Sequence, residues 1–75
     1  MFAYILVTVE KGKEQEIYKE LTNFSEISSI NILFGEWDLL LKVRIENSES
    51  LGTFVLDKIR TISGVQITST LIVAK

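Results

Sequence analysis

Apolar and polar positions along the chain change period several times, and each change marks an element. From Ala3 to Val9 a run of apolar and β-branched residues reads as a strand, broken by Lys11-Gly12. Between Lys13 and Leu21 the apolar residues Ile17, Tyr18 and Leu21 recur at helical spacing. Glu14 and Glu16 fall in the first turn of that helix, where negative charge suits the helix dipole. Ile27 to Phe34 alternates, with Ile30, Ile32 and Phe34 on one face and Ser29 and Asn31 on the other. Gly35-Glu36 then supplies a tight turn, because Gly accepts the positive φ that hairpins demand. Trp37 to Glu46 is the clearest strand: Trp37, Leu39, Leu41, Val43 and Ile45 share one face, and Asp38, Leu40, Lys42, Arg44 and Glu46 the other. Asn47 or Ser48 can cap a second helix, whose apolar stripe is Leu51, Phe54, Val55, Ile59 and Ile62. Ser63-Gly64 ends it, and Val65 to Val73 is the last strand.

The resulting order is β-α-β-β-α-β, the ferredoxin-like α+β arrangement. One hairpin joins the middle strands, and right-handed crossovers place both helices on the same face of one antiparallel sheet. The opposite face of a solitary sheet would be polar, yet here it carries Leu40, and the flanking strands are apolar on both sides (Tyr4 and Leu6 against Ile5 and Val7; Leu71 and Val73 against Ile72). A contiguous apolar patch of this kind marks an interface. The expectation is at least a dimer, made by packing the uncovered sheet faces or pairing their edges.

Composition narrows the chemistry. A length of 75 residues makes one domain, 1–75, and at that size a single core is marginal without a staple. Cys and His are both absent, which removes disulfides, thiolate ligands, the commonest metal ligand and the usual general base. Oligomerisation is the remaining staple, and no metal or cofactor is expected. Eight basic residues are scattered among ten acidic ones, for a net charge of −2. Nucleic-acid binding depends on clustered Lys and Arg, so no direct nucleic-acid contact is expected, and membrane-surface attraction fails for the same reason. No apolar run approaches the roughly 20 residues of a membrane-spanning helix. The first ten residues lack the basic flank and cleavage site of a signal peptide, so a cytoplasmic protein is expected.

Catalytic constellations are missing. The serines sit in turns, caps or strand faces without an elbow motif, and Glu14, Glu16 and Glu20 read as a solvated helix face. The four glycines are isolated, so no phosphate loop can be built from them. The chain is therefore not read as an enzyme. Two features stand out. Gly35-Glu36-Trp37-Asp38 places a carboxylate beside the only Trp at the start of an apolar strand; such an Asp either hydrogen-bonds local backbone or meets a ligand. Thr68 and Thr70 present two hydroxyls on one strand face, although Thr is also simply a good strand former.

Taken together, the opening strand, Gly35-Glu36-Trp37-Asp38-Leu39, the Ile62-Ser63-Gly64-Val65 junction and Thr68-Ser69-Thr70 resemble the effector-binding domain (RAM module) found C-terminally in Lrp/AsnC transcription regulators. The resemblance spans essentially the whole chain, and Trp37 departs from the family's more usual Tyr or Phe. It implies an amino-acid-binding regulatory domain that dimerises through its sheet, often as a ring of four dimers (an octamer), with the effector between dimers. Carried over, Gly35 and Asp38 match the family's turn motif and would lie at the effector site, Asp38 meeting an α-ammonium group, while Glu36 and Trp37 would line the mouth. Thr68 and Thr70 would take further hydrogen bonds from the ligand. Because Met1 directly precedes the first strand, a stand-alone form without the helix-turn-helix is expected, acting through mixed assemblies with full-length regulators. An ACT-like module with its ligand at Gly12, a purely structural oligomerisation module and a small ferredoxin-like enzyme built around Trp37 are the competing readings.

Overall fold

Alternation of side chains dictates the sheet. In the computed structural model, which describes residues 1–75, β1 runs Phe2–Val9 and buries every second residue: Ala3, Ile5, Val7 and Val9. The central strand β3, Leu39–Arg44, does the same with Leu39, Leu41 and Val43. The two pair antiparallel, with Val7 opposite Leu39 and Ile5 opposite Leu41, so their buried residues share one face. β2 (Ile27–Ile32) and β4 (Val65–Ile72) complete a sheet of order β2-β3-β1-β4, antiparallel throughout.

Two helical segments close that face. α1, Glu14–Leu21, contributes Ile17 and Leu21. α2, Ser48–Phe54, starts at an Asn47 cap whose Oδ1 accepts the Ser50 N–H at 2.8 Å, and it contributes Leu51 and Phe54. The expected stripe then runs through one π-helical turn, Val55–Ile59, in which the Arg60 N–H reaches back to the Val55 carbonyl. Val55, Ile59 and Ile62 stay buried across this widening, so the apolar stripe survives the change of pitch. All fourteen buried residues are apolar and form a single cluster, which fixes both helices on one side of the sheet.

Several boundaries and one side-chain facing differ from the sequence reading, and β3 ends at Arg44 rather than Glu46 and β4 at Ile72 rather than Val73. Trp37 and Asp38 are not in β3: the connection between the middle strands is a six-residue loop, 33–38, rather than a two-residue turn at Gly35-Glu36. The reason is that the Asp38 N–H bonds the Val7 carbonyl and the Leu33 N–H bonds the Asp38 carbonyl, so the loop folds onto the end of β1. Phe34 lies outside β2, fully exposed, and Ile32 is 74% exposed, because the helices do not reach this corner of the edge strand. Tyr18 faces away from the core and is exposed.

The uncovered face carries Phe2, Tyr4 and Leu6 from β1, Leu40 from β3, and Ile67 and Leu71 from β4. Tyr4, Leu6 and Leu40 are half-buried among their neighbours, while Phe2, Ile67 and Leu71 are exposed. At one end Lys42 and Arg44 lie over the Phe2 ring, at 4.7 and 5.9 Å from its centroid. No helix is long and apolar enough to cross a membrane.

Candidate functional site

The 33–38 loop and α1 face each other across an open groove of about 960 Å³. Val9 and Leu39 contribute at the strand ends, Leu33, Phe34, Gly35 and Asp38 on the loop, and Gln15, Tyr18, Lys19 and Thr22 on the helix. Gly35 sits at φ +127°, a conformation that L side chains rarely adopt, which lets the loop double back beside Phe34.

Asp38 is held at this corner by its own chemistry. Its Oδ2 accepts the Val9 N–H at 2.8 Å, capping the last residue of β1. The charge-assisted bond fixes the carboxylate against the sheet. Oδ1 takes no hydrogen bond from the chain, and no buried polar side-chain atom is left without a partner, so Oδ1 is open to solvent. Asp38 therefore serves the fold with one oxygen, keeps the other free of hydrogen bonds from the chain, and lines the groove.

The residues singled out from sequence fall in two places. Gly35 and Asp38 line the groove; Glu36 and Trp37 belong to the same loop but not to its wall, Glu36 exposed and Trp37 half-buried. Thr68 pairs with Val7 and Thr70 with Ile5, so their side chains share the helix-covered face, on the far side of β1 from the loop. Leu39, Val7 and Thr68 form one row across the sheet, which separates Thr68 from the Asp38 corner by two strand spacings, roughly 10 Å. Within one copy, the structure brings Gly35 and Asp38 together and leaves the threonines apart.

Sequence reasoning missed the helix wall. Gln15, Tyr18, Lys19 and Thr22 recur at i, i+3, i+4 and i+7, one stripe of α1. Ile17 and Leu21 point instead into the core. The stripe was readable as a polar face; that it meets a loop from the other end of a hairpin was not. The acids beside it are engaged elsewhere: Glu14 Oε1 accepts the Gly12 N–H at 2.6 Å, and Glu16 pairs with Lys13 at 3.7 Å.

Comparison with known proteins is consistent across sequence and structure. The family model described as the Lrp/AsnC ligand binding domain matches residues 2–75. The HTH-type transcriptional regulator FL11 of Pyrococcus horikoshii is 43% identical over all 75 residues, and the chain spans 49% of that protein's length. The solved structure of FFRP-DM1 superposes with a TM-score of 0.92 at 35% identity, covering 96% of each chain. A transcriptional regulator of Neisseria meningitidis, solved as a complex with L-Met, gives a TM-score of 0.90 at 30% identity, over 99% of this chain and 49% of that one.

Proposed function

The chain belongs to the Lrp/AsnC ligand binding domain family, and from that premise we propose that it is a regulatory module which holds a small amino-acid effector between copies of itself. The observation that carries this reading is Asp38 itself, a groove-lining carboxylate held by one oxygen on the Val9 N–H, with its second oxygen free of hydrogen bonds from the chain. A fixed carboxylate of this kind suits an α-ammonium group through a charge-assisted hydrogen bond. Gly35 gives the loop its path, and Glu36 and Trp37 stand at its rim. The groove is open on one side, so a second copy is needed to close it over a ligand. Thr68 and Thr70, being across β1 from Asp38, would then serve a neighbouring copy's effector rather than their own. The L-Met bound to the Neisseria regulator supports an amino acid as the ligand class.

The row of apolar side chains on the uncovered sheet face supports assembly through that face. A dimer, assembled further into an octamer, would bring grooves together. Its output would be passed to transcription regulators of amino-acid metabolism, by mixed assembly with full-length relatives in the cytoplasm. The chain acts by binding, not by catalysis. The ACT-like alternative loses its main support, because the Gly12 N–H is already used by Glu14.

The test is a titration with each common amino acid, followed by Trp37 fluorescence and melting temperature. Ligand at about 100 times its Kd should add roughly 2.7 kcal/mol of stability. Asp38→Asn is the informative variant: the amide oxygen can still accept the Val9 N–H while the charge is lost. It should weaken binding at least about tenfold while costing the free protein only about 1 kcal/mol, the difference between a charged and a neutral acceptor for the Val9 N–H. A flat response to every amino acid, with the assembly intact, would leave a purely structural oligomerisation module instead. Native mass spectrometry of the chain mixed with a full-length relative reads out mixed assembly directly.

A further inference from the structure

We infer that Lys19 selects the effector, and that the groove takes an amino acid with an apolar stem and a terminal side-chain carboxylate, the glutamate and aspartate class. This rests on the effector reading of the same groove. The charges in the groove divide into committed and uncommitted groups. Of the three acids in the groove, Glu14 is bonded to the Gly12 N–H, Glu16 to Lys13, and Asp38 by one oxygen to the Val9 N–H. Lys13–Glu16 is the chain's one ion pair, so Lys11 and Lys19, both in the groove wall, have no carboxylate in range.

Lys19 is the better placed of the two for recognition, because it is carried on a helix rather than on a turn. It shares the α1 stripe with Gln15 and Tyr18, whose amide and hydroxyl are likewise unengaged within the chain. None of the three contributes to the core, which takes Ile17 and Leu21 from the other side of the helix. Across from this polar wall lie Ile32 and Phe34, both exposed far beyond the needs of the fold, with Leu33 half-buried between them. An extended side chain would set its methylenes against Phe34 and its end group against Lys19. Asp38, already on the other wall, takes the ammonium.

Binding of glutamate, glutamine and leucine to the full chain, measured by calorimetry and Trp37 fluorescence, tests this. Glutamate should bind more tightly than glutamine by a factor on the order of ten, the difference between a charged and a neutral hydrogen-bond partner. Lys19→Met should bring glutamate down to the level of glutamine, and Lys19→Glu should place glutamate below it. The free Lys19→Met variant should fold with nearly the same melting temperature, since Lys19 is exposed, and Lys19→Glu should melt slightly lower because it puts a negative charge in the last turn of α1. A glutamate preference that survives in Lys19→Met, or leucine binding best to the unaltered chain, overturns the role of Lys19 while leaving the effector site standing. Failure of every amino acid to bind removes both.

Discussion

Leu40 and Leu41 are neighbours on β3 with opposite surroundings. Leu41 lies wholly inside, walled by Ile5, Ile30 and the helices; Leu40 looks out beside Leu6 and Asn31 from the face no helix covers. The residue type is the same, the strand is the same, and the pleat alone separates them. On the covered face apolar character builds the fold of a single copy. On the bare face it has no partner within the copy, and its value depends on what a second molecule brings. The groove lies at the margin between these two regimes, where the helices stop short of the sheet's corner.

Three substitutions test that division, in descending order of their effect on a single copy. Leu41→Ala should cost about 2–5 kcal/mol, the range for a fully enclosed leucine, and urea unfolding should show it. Gly64→Ala acts where α1 is seated on the covered side. Gly64 has φ +98°, and an added Cβ would meet Ile17 Cδ1 at 3.0 Å and Lys13 Cβ at 3.1 Å. A loss of about 1–3 kcal/mol is expected from strain and displaced packing, again by urea unfolding. Leu40→Asp should cost the free copy about 1 kcal/mol, since Leu40 is only half-buried, though Asp is a poor strand former. Its effect should appear in sedimentation as a shift to smaller species, because a charge would then sit in the interface. Loss of folding in Leu40→Asp at all concentrations would show that the bare face supports the single copy, and the distinction between the faces would fall.

Much of the fold was legible because periodicity is a direct physical record of burial. The alternation in β1 and β3 and the stripe from Leu51 to Ile62 were read at their true positions, and every residue of that stripe is buried. The π-helical turn was invisible, since it shifts pitch without exposing any of those side chains. Alternation also misled at the hairpin. Trp37 continues the parity of Leu39 and Leu41, but the hydrogen bond from the Asp38 N–H to Val7 takes the chain out of the strand. Spacing grouped Phe34 with Ile30 and Ile32, and Tyr18 with Ile17 and Leu21, yet both Phe34 and Tyr18 are exposed around the groove.

The site was half legible. Gly35 and Asp38 stood out because a positive-φ residue and a lone carboxylate beside an apolar strand are local features. Gln15, Tyr18 and Lys19 did not, since an exposed helix stripe has no meaning until something faces it. The position of Thr68 relative to Asp38 depends on strand order, which places β1 between them.

By itself the sequence determined the element order, the apolar content of both sheet faces and the absence of thiol and imidazole chemistry, because these follow from residue type and period. Only the tertiary structure decided which face the helices cover, that Asp38 is tied to Val9 where it lines the groove, and that α1 supplies the second wall. Those outcomes depend on hydrogen bonds and contacts between residues far apart in the chain, such as the 29 positions separating Val9 from Asp38, and no local pattern encodes such a meeting.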